Sequence, residues 1–152
     1  MREIARTLGA CVVDDAELQS RVIPLLEEQD QDARVRRSMA IEAIVLEAGL
    51  FLSHEKKRDR AFVGEFATIT NGILQGRGEA LELNSRAVGD YMRSLGLYTR
   101  QLGSAGRGIL LLNDVRRKIH ELAWTYAVRS IQDGIDRCPF CAEARSRFGD
   151  VA

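Results

Sequence analysis

The segment SRAVGDYMRSLGLYTRQLGSAGRGILLL, residues 85–112, decides how this chain is read. Val88, Met92 and Leu95 follow the i, i+4, i+7 spacing of one buried helix face. Asn84 or Ser85 supplies an N-cap, and Gly96 sits where a helix C-terminal glycine belongs. Beyond it the pattern changes. Residues 98–102 and 109–112 read as extended runs, and the small residues of 103–108 between them read as a turn carrying Arg107. A helix therefore passes directly into a basic, glycine-tipped hairpin.

Working outward, residues 35–53 form a helix with a wide apolar face of Val35, Met39, Ile41, Ile44, Val45, Ala48, Phe51 and Leu52. HEKKRDR, residues 54–60, is a charged break. A second helix follows over about 61–75, on Phe62, Phe66, Ile69 and Ile73. Leu81 and Leu83 alternate with polar residues, which allows a short extended piece. After the hairpin, Asn113 or Asp114 caps a further C-terminal helix striped by Val115, Ile119, Leu122 and Tyr126. Near the N-terminus a short helix is expected within 2–13. Asp14 or Asp15 caps another over 15–29, which Pro24 either kinks or delays. The polar stretch 27–37 reads as a turn or the entry to the next helix. These readings divide the chain into an N-terminal helical extension (1–34), a central domain (35–128) and a tail (129–152) containing CPFC.

Helix, helix, helix, hairpin is the order of a winged helix-turn-helix. The segment 85–112 resembles the recognition helix and wing of winged-helix DNA-binding domains, especially those appended to replication and mobile-element proteins. There, a helix ending in Leu-Gly-Leu runs into a basic strand–turn–strand. The resemblance spans residues 39–126. It implies a mostly α fold of three helices plus one β-hairpin wing, and binding of double-stranded DNA by a transcriptional regulator or accessory module. It places the polar face of the third helix, Arg86, Asp90 and Arg93, in the major groove. Arg107 at the wing tip would meet the minor groove or backbone. Arg100, Arg116, Arg117 and Lys118 would add phosphate contacts. Asp90 opposes phosphate unless it accepts from a cytosine amine or pairs with Arg86 or Arg93.

Charge distribution agrees with that placement. The chain carries 22 basic and 22 acidic residues, yet residues 85–118 hold seven basic against two acidic side chains. With no net charge, one copy should bind modestly, and a homodimer or larger partner protein would supply the rest. The alternative is a winged helix that binds another protein and never contacts DNA.

Cys138 and Cys141 of CPFC are half of a zinc site. The other half would come from Cys11, His54, His120 or a second chain, none of which forms a second knuckle by spacing. The pair also reads as a redox couple, because Cys138 can open a helix, or as reduced thiols packed in the tail. A zinc- or redox-responsive regulator is thus a further alternative. His54 and His120, taken singly, read as surface or cap residues. No phosphate loop, catalytic triad or paired-histidine motif occurs, so no enzyme is expected. Three cysteines do not make a disulfide framework, and neither a signal peptide nor an 18-residue apolar run is present. A cytoplasmic protein outside the membrane is the expectation.

Overall fold

The structure, a computed structural model, describes residues 15–55, 58–128, 130–133 and 137–149. The helix expected within 2–13, and Cys11 with it, lie outside the described residues. The chain divides into two compact units, residues 1–35 and 36–152.

In the first unit, helix α1 (Ala16–Ser38) begins at Asp15, whose carboxylate accepts from the backbone N–H groups of Glu17 and Leu18 at 3.1 and 3.0 Å. The cap is the expected one. Pro24 neither delays nor ends the helix, which runs unbroken through the polar stretch 27–37 that read as a turn or the entry to the next helix. Leu18, Ile23, Leu25 and Val35 on it are exposed.

The second unit is built around helix α2 (Ile41–His54), which starts six residues later than the sequence suggested. Ala43, Ile44, Val45, Leu46, Ala48, Leu50 and Leu52 are all buried. A helix apolar on nearly every side must sit inside its domain. It packs against helices α3 (Val63–Gly76), α4 (Ser85–Ser94) and α5 (Asn113–Thr125).

Between α2 and α3 the chain forms strand β1 (Arg60–Phe62), where the sequence suggested a charged break and a helix start. Strands β2 (Arg100–Gln101) and β3 (Arg107–Leu110) make the hairpin, its tip a single 3-10 turn over Gly103–Ala105. The three strands form an antiparallel sheet in the order β1-β3-β2, so β1 caps the open edge of β3. Gly108 lies opposite both Phe62 and Arg100, and a Cβ there would stand 2.4 Å from the Ala61 carbonyl oxygen. Only a hydrogen fits.

Helix α4 matches its sequence pattern closely. The Asn84 side chain accepts from the Ala87 N–H at 2.9 Å. Val88, Met92 and Leu95 are buried. Gly96 has φ +69°, and the Leu97 N–H closes on the Met92 carbonyl at 2.8 Å. The segment around Leu81 and Leu83 joins no strand. Instead the Asn71 amide donates to the Leu83 carbonyl and accepts from its N–H, doing for one residue what a neighbouring strand would do. Short helix α6 (Ser130–Asp133) and helix α7 (Pro139–Phe148) complete the unit, with α7 packed on α5. The fold is mostly helical with a small three-stranded antiparallel sheet. No helix among the described residues is long and apolar enough to cross a membrane.

Candidate functional site

Two places gather chemically active side chains. The first is an open cleft of about 830 Å³ bounded by the N-terminal turns of α3 and α4 and by the hairpin. Arg86, Asp90 and Arg93 of α4 line it, with Arg107 and Thr99 of the hairpin across from them. Arg86, Arg93, Arg100 and Arg107 are all exposed. Arg107 donates to the Thr99 carbonyl at 2.9 Å, which aims its guanidinium along the hairpin. Asp90 pairs with Arg93 at 3.1 Å, one of the partners considered for it. Glu65 also lines the cleft, but its carboxylate accepts from the Phe62 N–H and from Arg58, so its charge is largely met.

The three basic residues of α5 are engaged elsewhere. Arg116 is half-buried, and its guanidinium donates to the main-chain carbonyls of Ser53, Arg58 and Leu111. It joins the end of α2, the approach to β1 and the foot of β3. Its donors are thus engaged by the protein's own backbone. Arg117 pairs with Glu143 of α7 at 2.8 Å, and Lys118 donates to the Gly96 carbonyl at 2.6 Å.

The second place is a cluster of His54, His120, Cys138 and Cys141, whose ligating atoms all lie within 4.8 Å of one another. His54 is the last residue of α2, His120 is in the middle of α5, Cys138 is the N-cap of α7 and Cys141 is in its first turn. His54 Nε2 stands 3.2 Å from His120 Nε2 and 3.2 Å from Cys141 Sγ, and Cys138 Sγ is 3.4 Å from His120 Nε2. His120 and Cys141 are buried, while His54 and Cys138 are half-buried. The expectation that His120 is a surface or cap residue fails here, since it is 0% exposed.

The electrostatics suit neutral imidazoles. Burial lowers the pKa of His120 to about 4, against the raising effect of its bond to the Arg116 carbonyl. Burial and the nearby Arg116 charge also lower that of His54. Burial, with the Cys138 thiol beside it, pushes Cys141 up to about 12. A cation among these atoms would reverse the thiol's preference, since a coordinating thiol is deprotonated outright. The four residues lie close together and could hold a metal ion.

No protein-family model, curated protein or solved structure matches this chain. What it does must therefore be argued from these two places. The sequence named both cysteines as ligands and both histidines among their candidate partners. It lacked any local spacing joining them, because His54 and Cys141 are 87 residues apart and meet only through the packing of α2, α5 and α7.

Proposed function

We propose that this chain is a winged helix-turn-helix protein that binds double-stranded DNA, as a transcriptional regulator or an accessory DNA-binding module. The element order α2-β1-α3-α4-β2-β3, with sheet order β1-β3-β2, supports the fold assignment. In this reading α4 enters the major groove and the β2–β3 hairpin is the wing. The observation that carries the DNA reading is the shared cleft: Arg86 and Arg93 of α4 and Arg107 of the hairpin face the space that a duplex edge would occupy. The N-terminal turns of α3 and α4 open onto the same space, and helix N-termini favour phosphate. Arg100, exposed on β2 outside the lining of the cleft, is a further phosphate contact in this reading. Arg116 belongs to the scaffold rather than to the interface.

A salt titration of binding to a random duplex tests this reading. Affinity should fall as salt rises, because each neutralised phosphate releases counterions. Replacing Arg86, Arg93 and Arg107 with Ala should flatten that dependence without changing the helical circular dichroism. Absence of any salt-dependent binding would favour the protein-interaction alternative.

The second centre extends the zinc reading of CPFC. Two imidazole nitrogens and two thiol sulfurs form a donor set suited to zinc, and unlike the oxygen sets that calcium and magnesium take.

A further inference from the structure

The CPFC helix packs on α5, with Phe140 against the His120 ring, but buries few of its own side chains. Within the ten residues of α7 only Cys141 and Ala144 are buried. Isolated helices of this length are marginal in water, so packing must hold them. Two ion pairs that reach α7, Arg117–Glu143 and Arg147–Glu121, lie at the surface, and such pairs contribute little. What α7 does bring inward is its two thiols.

Those thiols meet a crowded set of lone pairs. His120 Nδ1 lies 2.7 Å from the Arg116 carbonyl and must be the protonated nitrogen to donate to it. Its Nε2 is then an unprotonated acceptor aimed at the centre. His54 Nε2 faces that atom and Cys141 Sγ at 3.2 Å each, so one hydrogen at most serves two contacts. The close His54–His120 nitrogen pair and the two sulfurs thus turn their lone pairs toward one point, which is the arrangement a cation between them would use.

The spacing fits one ion in particular. Tetrahedral zinc with bonds of about 2.0–2.3 Å holds its nitrogen and sulfur ligands about 3.3–3.8 Å from each other. Of the separations here, Cys138 Sγ to His120 Nε2 at 3.4 Å lies within such edges, the two at 3.2 Å lie just below them, and all four atoms lie within 4.8 Å of one another, so small side-chain shifts would bring them to one ion. The Arg116 carbonyl behind His120 is the usual second partner of a metal-bound imidazole, and fixes its tautomer and orientation.

We propose that His54 Nε2, His120 Nε2, Cys138 Sγ and Cys141 Sγ bind one Zn2+ in a closed tetrahedral site that fastens α7 to α2 and α5. Four protein ligands complete the coordination, so no position remains for water or substrate, and the ion is structural rather than catalytic. Binding displaces the thiol protons to solvent, so both sulfurs bind as thiolates. The proposal stands independently of DNA binding.

The test uses the purified full chain prepared without chelator. Metal analysis should find one zinc per chain, retained through desalting. Exchange of zinc for cobalt should give the intense visible absorption of tetrahedral Co2+ together with a near-ultraviolet thiolate-to-cobalt band. In Cys138→Ser the sulfur band should weaken by about half, as one of two sulfurs is lost. Removing the metal from the unmutated chain should raise amide hydrogen exchange in residues 139–148 well above that in α4, a readout that needs no variant to fold. Less than half an equivalent of zinc after reconstitution, or a pale octahedral cobalt spectrum, would overturn the site. Unchanged exchange in 139–148 after metal removal would overturn its fastening role.

Discussion

Arg116 and His120 stand one turn apart on α5, and the imidazole Nδ1–H of His120 donates to the Arg116 carbonyl while the Arg116 guanidinium donates to the carbonyls of Ser53, Arg58 and Leu111. One residue therefore holds a cluster imidazole with its backbone and joins the end of α2, beside His54, to the foot of the hairpin with its side chain.

Arg116→Lys should destabilise the protein by about 3 kcal/mol. The three carbonyls are met by three different guanidinium nitrogens, and the single nitrogen of an ammonium cannot reach all three positions at once; each bond to a charged donor is worth about 1.5–3 kcal/mol. Denaturant unfolding measures the loss. An unchanged midpoint would mean that the three carbonyls find other partners.

Gly108→Ala should also destabilise, by about 1–3 kcal/mol, because the new methyl must push β1 off β3 or bend the strand. Gly72→Ala is the informative contrast. A Cβ there meets nothing within 4 Å, in the middle of α3. It should raise stability by about 0.5–1 kcal/mol through helix propensity alone. Thermal unfolding of the two variants should shift in opposite directions.

Asn84→Ala removes the side chain that accepts from the Ala87 N–H at the start of α4. A lost N-cap costs about 1 kcal/mol. Hydrogen exchange should show the loss concentrated in the first turn of α4, leaving α2 protected.

Asp90→Asn tests the interface rather than the fold. Asp90 is exposed and pairs with the equally exposed Arg93. Neutralising it removes a repulsion from phosphate and frees Arg93. Duplex affinity should rise, and Arg93→Ala should lower it, with a salt slope shallower by about 1 if that arginine meets phosphate. Fluorescence anisotropy at several salt concentrations reads both.

Legibility in the sequence followed the range of the interactions. Helix α4 was legible from cap to stop, because Asn84, Val88, Met92, Leu95 and Gly96 act within a few residues of each other. The hairpin was legible in outline only: Arg107, read as part of its tip, is the first residue of β3 and pairs with Gln101, while the tip is Gly103–Ala105. Strand β1 was not: three residues with only Ala61 buried are too short to show an alternation, and their strand character comes from pairing with β3 nearly fifty residues later. The break at 39–40 was hidden because apolar residues continue across it from α1 into α2. The cluster was half legible. CPFC announces two thiols at ligand spacing, but His54 and His120 become their neighbours only when α2, α5 and α7 pack. The commitment of Arg116 was equally invisible, since three adjacent basic residues look alike until their partners are known.

The joint at Arg116 imposes a reciprocity. Ligands that bind one folded unit obey linkage: if zinc at the cluster tightens the grip of the hairpin on DNA by some factor, DNA must tighten the hold on zinc by the same factor. The bonds of Arg116 form one hydrogen-bonded route from the cluster to the hairpin, from the His120 ring through one backbone and one side chain to Leu111. Measuring zinc affinity with and without duplex, in the unmutated chain and in Arg116→Lys, gives the size of that exchange and shows whether it travels through this residue.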